Sequence, residues 1–150
     1  MTKRVFALMV CVLIANVSAG CTASADEDWH NDVTVLTIAP DGSWGVATDA
    51  FVSRAIARAI ADCKRRYRRE IGCGHRLTSI RAGWSMALRC GNENIIVAEK
   101  SLADAEQLAR RREDELRTVY VPDMPACVRT VTVDPHGAIV VPAAGYSAAP

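Results

Sequence analysis

One order of predicted elements occurs twice along this chain, and that repeat limits the fold more than any other feature. Residues 33–39 and 44–48 have the composition of strands, and the turn signal Pro-Asp-Gly at residues 40–42 separates them. A helical pattern follows, with Ser53 as its predicted N-cap, and residues 73–82 return as a strand. The first unit is therefore predicted to be β-β-α-β.

The second half of the chain has the same order of elements. Apolar and polar side chains alternate in its first predicted strand, and a capping box that begins at Ser101 predicts a helix. In chain order, the predicted elements are strands at residues 84–90 and 94–98, a helix at residues 102–117, a returning strand at residues 127–133 and an extra strand at residues 138–141.

The repeat predicts how the units combine. Each helix needs an apolar surface to cover, and its own hairpin supplies only half of one. We therefore expect an α+β fold in which the duplicated β-β-α-β unit gives a mostly antiparallel sheet with two helices packed on one face. The predicted domain spans residues 26–141, and the small, proline-containing tail at residues 142–150 is expected to fray.

Residues 1–25 have the features of an export leader and spacer. Two basic residues precede an apolar run at residues 5–17, which is too short for a stable membrane span but typical of a secretory signal. Two cleavage sites compete. The sequence Ser-Ala-Gly-Cys at residues 18–21 resembles a lipobox and is favoured, so we expect a lipid on Cys21 and a membrane-anchored periplasmic protein. Cleavage after Ala-Ser-Ala at residues 23–25 would instead discard Cys21 and release a soluble secreted protein.

The cysteines predict disulfides. Of the six in the chain, Cys11 lies in the leader and Cys21 at its end, which leaves an even number in the domain. In an exported protein an even number indicates disulfides, although the sequence allows more than one pairing. We favour Cys63–Cys73, which would tie a helix end to the next strand, together with Cys90–Cys127, which would link two distant strands.

The charge of the chain is nearly balanced, at a formal +1. A near-neutral protein gives no electrostatic reason to expect nucleic acid as a partner. One basic run lies at the end of the first predicted helix, where cations also suit the helix dipole. It is either a solvated helix end or a patch that binds a polyanion such as a phosphate-bearing membrane surface, and it consists of Lys64, Arg65, Arg66, Arg68 and Arg69.

His75 is the candidate catalytic residue. It is suited to act as a general base for a serine such as Ser79 or Ser85, or to join Cys73 in a zinc site. However, the sequence has neither a Gly-x-Ser-x-Gly motif nor a Cys-x-x-Cys pair, and a surface histidine is the simpler interpretation. We find no phosphate-cradling glycine loop, acidic metal loop or paired-carboxylate motif, so no cofactor and no metal is predicted.

Several short motifs resemble a known family. They are Gly-Ser-Trp-Gly at residues 42–45, the alanine-rich helix at residues 53–63, the strand that starts at Cys73, and the strand at residues 84–90. With them, residues 29–90 resemble a family of small exported bacterial proteins known as a domain of unknown function, number four-one-eight-nine in that series. The resemblance implies export and disulfides and supplies no catalytic residues. The chain departs from the family pattern in its second helix and in the loop at residues 122–127.

These observations favour a non-enzymatic function. We expect an envelope protein that binds or inhibits another exported protein or an envelope component through a surface patch. The alternative is a small hydrolase or metal-dependent enzyme centred on His75, which requires that side chain to line a cleft and to hold an orienting partner.

Overall fold

The structure is a computed structural model that describes residues 32–141. The predicted leader with Cys21, the residues just before the first strand and the tail at residues 142–150 lie outside the described residues. In chain order the elements are β1 (Val33–Ile38), β2 (Trp44–Asp49), α1 (Val52–Tyr67), β3 (Arg76–Arg81), β4 (Trp84–Cys90), β5 (Glu93–Glu99), α2 (Leu102–Glu115), a π-helical turn (Leu116–Tyr120), β6 (Val128–Val133) and β7 (Ile139–Val141).

The first sheet has the strand order β2-β1-β3, and its neighbouring strands are antiparallel. The β1–β2 hairpin closes because Gly42 takes a φ of 91°, in the left-handed region that favours glycine, and donates its N–H to the Ala39 carbonyl. In the same turn the Asp41 carboxylate accepts a hydrogen bond from the Ser43 N–H. α1 follows this hairpin, and β3 then returns to the free side of β1.

The second sheet has the strand order β5-β4-β6-β7, again with antiparallel neighbours. α2 follows the β4–β5 hairpin, and β6 returns to the free side of β4. β7 adds a short strand after a turn in which the Asp134 carboxylate accepts from the N–H groups of His136 and Ala138. The predicted α+β class and the antiparallel strand pairing are confirmed.

The burial of β1 on both faces shows how these layers stack. Its Val33 and Val35 pack with Ala55 and Ala59 of α1. The opposite face of β1 meets the second sheet, in a cluster that joins Leu36 and Ile38 to Ala87, Val131 and Val133. The two sheets therefore lie face to face, and α1 covers the outer face of the first.

α2 covers the outer face of the second sheet, where Ala105 and Ala109 pack with Met86, Ile95 and Val97. The strands thus form two sheets where the repeat predicts one, and each helix packs on its own sheet. The reason is the apolar character of β1 on both faces. One helix layer covers one face of a sheet, so the other face needs a second layer, which the second sheet provides.

The two helices begin differently. Ser101 is the N-cap of α2 as predicted, and its hydroxyl accepts a hydrogen bond from the Asp104 N–H at 3.1 Å. The predicted N-cap of α1, Ser53, is wrong, because α1 begins at Val52 after Phe51. The chain turns into α1 through Asp49, whose carboxylate accepts from the Phe51 N–H and binds the Arg54 and Arg58 side chains.

Both predicted disulfides are confirmed. Cys63–Cys73 joins the last turns of α1 to the segment before β3, with Cα atoms 5.9 Å apart. Cys90–Cys127 joins the end of β4 to the residue before β6, with Cα atoms 4.1 Å apart. Disulfides of this kind are typical of exported proteins. None of the helices in the described part of the chain is both long enough and apolar enough to cross a bilayer.

Candidate functional site

The basic run at the end of α1 is largely neutralised by carboxylates of the protein itself. Arg65 and Arg66 bind Asp62 at 2.7 and 3.0 Å. Arg69 binds Asp41 at 2.6 Å, and Lys64 lies 4.0 Å from Glu70. Arg68 ends the helix in the left-handed conformation, with a φ of 52°. These pairs reduce the positive field that a polyanion would meet, so the geometry does not favour this run as the binding site.

The same helix end closes against the edge of β2. The Asp62 carboxylate accepts a hydrogen bond at 3.2 Å from the Val46 N–H, a main-chain group of that strand. The Arg66 guanidinium lies 4.3 Å above the Trp44 ring, and the Tyr67 ring meets the same indole edge-on. Burial works against ionisation of Asp62, but the hydrogen bonds from Arg66 and Val46 outweigh it, so the pKa of Asp62 lies below its ordinary value.

Gly45 lets α1 lie this close to β2. A Cβ atom at Gly45 would stand 2.2 Å from the Ala59 carbonyl oxygen and 2.5 Å from the Cys63 nitrogen. Only a residue without a side chain fits between the strand and the helix at this point. No space therefore remains between α1 and the edge of β2.

A groove lies at the corresponding place in the second sheet. Ile95 of β5 faces α2, just as Gly45 of β2 faces α1. The buried side chain of Ile95 separates α2 from β5. Beside it, an open groove of about 250 Å³ runs along β5, with residues 94–96 as its floor. Its walls come from β3, from α2 and from the π-helical turn, namely Arg76, Arg112, Glu115, Leu116 and Tyr120.

The walls combine charge with exposed apolar surface. Arg112 binds Glu115 at 2.8 Å, and both side chains are about half exposed, so solvent screens this pair. Arg76 donates to the Asn94 carbonyl at 3.0 Å and has no carboxylate partner within residues 32–141. Tyr120 is 67% exposed at the rim. The groove thus offers two guanidinium groups and an aromatic ring to a ligand.

The floor of the groove is a strand edge to which no other described strand is hydrogen-bonded, and β3 of the other sheet lies close beside it. β5 is the edge strand of its sheet. The Asn94 carbonyl accepts a hydrogen bond from Arg76 of the other sheet, which shows that it points away from β4. Residues two apart in a strand present their main-chain groups to the same side, so the N–H and C=O of Ile96 also point outward. No other strand in the described part of the chain pairs with this edge.

His75 does not form the site that the hydrolase alternative requires. Its side chain is exposed and makes no hydrogen bond or ion pair within residues 32–141. Ser85 is fully buried between the sheets with its hydroxyl unpaired, and Cys73 is held in a disulfide. Among the described residues, no three side chains of His, Cys, Asp or Glu gather where they could hold a metal ion.

Two of the three tryptophans of the chain lie within the described residues. Trp44 is buried and belongs to the packed interior between the sheets. Trp84 is half-buried at the start of β4, where it packs on the cluster under α2. Both side chains therefore pack in the core and do not line an exposed binding face, and Trp29 lies outside the described residues.

Comparisons of the chain with family models, with curated proteins and with solved structures found no match. The site therefore has to be interpreted from its own geometry. No local pattern in the sequence singles out Arg76, Ile96 or Tyr120, because these residues meet only in the folded chain. A position-by-position comparison of the two units offered a signal, since Ile95 and Arg112 stand where the first unit has Gly45 and Asp62.

Proposed function

We propose that the chain is an exported, non-enzymatic module of the bacterial cell envelope that binds or inhibits another exported protein or an envelope component. Its recognition surface is the groove beside β5. The observation that carries the proposal is the open edge of β5 at the floor of that groove. Proteins commonly recognise extended segments of their partners by adding a strand to such an edge. The two disulfides support export.

The proposal includes duplication of an ancestral β-β-α-β unit. In support, each unit places its first strand between the second and the last, giving β2-β1-β3 and β5-β4-β6. The buried positions of the helices also correspond, with Ala55 and Ala59 in α1 and Ala105 and Ala109 in α2. A duplicated scaffold explains how one copy can keep a closed helix–strand contact while the other opens a groove.

The proposal also includes membership of the family that residues 29–90 resemble, and anchoring in the periplasm through a lipid on Cys21. The intact mass of the protein, taken from its native envelope, tests the anchor. A chain that begins at a diacylated or triacylated Cys21 supports it. A chain that begins at Asp26 means that the protein is released and leaves the binding proposal unchanged.

Site-specific crosslinking in the native envelope tests the binding function. A photoreactive residue at Tyr120 samples the groove, and one at Ile71, which is 88% exposed beyond the end of α1, is the matched control. We expect a discrete adduct from position 120 that unmodified protein displaces and that Arg112→Glu abolishes. Adducts from position 71 alone would place recognition elsewhere, and the absence of adducts from both would count against a protein partner.

A further inference from the structure

The first unit contains a carboxylate at the place where the second unit leaves its strand edge open. In the first unit, the outward N–H of Val46 donates to Asp62, which Arg65 and Arg66 also bind. In the second unit the matching N–H belongs to Ile96, and the residue that matches Asp62 is Arg112. A guanidinium donates and cannot accept, so α2 leaves the Ile96 N–H without the acceptor that α1 supplies to Val46.

The charges around this N–H favour an anion. Arg112 and Arg76 line the groove, and Arg76 has no carboxylate partner within the described residues. Glu115 is the one acidic residue of the lining, and its exposed pair with Arg112 is of the kind that contributes little stability. An incoming carboxylate can therefore replace Glu115 on Arg112 at small cost.

The shape of the groove favours an extended chain as the bearer of that carboxylate. Its floor is a strand edge whose outward N–H and C=O groups at Ile96 match those of an added strand. Leu116 and the exposed Tyr120 offer apolar contact to the side chains of such a strand that point toward α2. A small free anion would satisfy the arginines and leave these groups unused.

From these contacts we infer that the groove binds an acidic, extended segment of a partner protein as an added strand beside β5. Its main chain accepts from the Ile96 N–H, and its carboxylate is held by Arg112, the residue that stands where the first unit has Asp62. The inference rests on the proposed function, because it names the class of partner that the same groove takes. It differs from that function in predicting recognition by main-chain pairing together with one carboxylate.

The probe is a capped pentapeptide of alternating valine and aspartate, and its control is the same peptide with asparagine in place of aspartate. We expect the aspartate peptide to shift the Ile96 amide resonance, to slow hydrogen exchange at that amide and to bind about tenfold more tightly than the asparagine peptide. Equal binding of the two peptides, or no protection of the Ile96 amide, would overturn the inference.

Variants separate the two parts of the inference. Arg112→Gln should weaken binding of the aspartate peptide about tenfold, whereas Arg110→Gln on the exposed face of α2 should not change it.

Ile96→Pro removes the outward N–H at an edge where proline is tolerated, and Ile96→Ala keeps it, so only the proline variant should lose binding. Glu115→Gln should strengthen binding, because it removes the competing carboxylate. Binding that survives Ile96→Pro would exclude strand addition.

Two further outcomes are distinguishable. If the aspartate peptide binds only after Asp26, Glu27 and Asp28 are changed to their amides, the chain's own acidic segment is the occupant and the inference of a partner fails. If the peptide fails to bind while the crosslink from position 120 persists, the proposed function stands and the acidic strand is the wrong class of partner. If the peptide does not bind and position 120 gives no crosslink, both the proposed function and the inference of an acidic strand are wrong.

Discussion

Asp62 holds the end of α1 to the edge of β2 by accepting hydrogen bonds from Val46, Arg65 and Arg66. Its carboxylate is 13% exposed, so these bonds are only partly screened by solvent. Bonds to a charged group of this kind contribute roughly 1.5–3 kcal/mol each in favourable cases. Asp62 is therefore the residue on which closure of the first unit depends most directly.

We expect Asp62→Asn to lower the free energy of unfolding by about 1–2 kcal/mol at neutral pH, because the amide keeps the shape and loses the charge. The pKa of Asp62 in the folded protein lies below its ordinary value of 3.8. Its contribution is thus fully present above that value and is lost as the pH falls through the folded-state pKa. Urea denaturation at neutral and at strongly acidic pH measures the difference.

The matched control for this prediction is Asp114→Asn, which changes an exposed aspartate of α2. That variant should unfold like the parent at both pH values. The Asp62→Asn protein should approach the stability of the parent only in acid. A deficit that is the same at both pH values would show that Asp62 acts through its shape and not through its charge.

Single residues also explain why the site was only partly predictable. The basic run was visible in the sequence, but its carboxylate partners Asp41 and Asp62 come from a hairpin turn and from the preceding helical turn, and only the fold shows that they bind it. The groove depends on Ile95 as a spacer and on Arg76 from the other sheet. Contacts between two sheets do not appear in a local pattern, so residue spacing alone could not predict the groove.

The N-terminal ends of the helices show what a local pattern can predict. Ser101 accepts the expected hydrogen bond from the Asp104 N–H at the start of α2, because an N-cap is a contact between near neighbours, and its hydroxyl donates to the Asp104 carboxylate. Ser53 lacks this geometry, since Asp49 before the helix fixes the turn instead. The hydrogen bond from Phe51 and the pairs with Arg54 and Arg58 lower the pKa of Asp49 against the effect of burial.

The two serines therefore provide a paired test at the scale of the helices. We expect Ser101→Ala to cost about 1 kcal/mol of unfolding free energy, the usual effect of losing an N-cap. Ser53→Ala should be close to neutral or slightly stabilising, because Ser53 is exposed within α1 and alanine favours helix. Thermal unfolding of both variants measures the contrast. A larger cost at Ser53 would restore it as the cap of α1.

The strands show where local patterns fail. The order of strands and helices was predicted because it depends on spacing along the chain, and the favoured one of the possible disulfide pairings was confirmed. The number of sheets was not predicted. The alternation of apolar and polar residues shows which face of a strand is apolar, but it does not show what covers that face. The informative segment was Val33–Ile38, which has no charged residue and is buried at every position. A strand of that kind needs a layer on each face.

The disulfides act on the whole molecule by constraining its unfolded chain. Cys63–Cys73 spans 10 residues and Cys90–Cys127 spans 37. Loop-closure entropy then predicts contributions of about 3 and about 4 kcal/mol. We expect the double variant Cys90→Ala/Cys127→Ala to lose more stability in urea than Cys63→Ala/Cys73→Ala. The reverse order would mean that burial of Cys63 against β2 matters more than the length of the closed loop.

The face-to-face sheets make each unit depend on the other. Leu36 and Ile38 are fully buried, and they reach that state only against Val131 and Val133 of the second sheet. A half of the chain would expose this inner face, and units of this size bury too little surface to compensate. Residues 26–83 and residues 84–150 each keep their own disulfide, so separation breaks the sheet–sheet contact without breaking a crosslink.

We therefore expect neither half to show a cooperative unfolding transition when it is prepared alone and oxidised. Circular dichroism and thermal unfolding of each half, and of the two mixed in equal amounts, measure this. Recovery of the parent spectrum in the mixture would show that the inner faces are sufficient to hold the units together. A half that unfolds cooperatively alone would show that its helix and disulfide suffice, and that the sheet–sheet contact positions Arg76 over the groove rather than maintaining the fold.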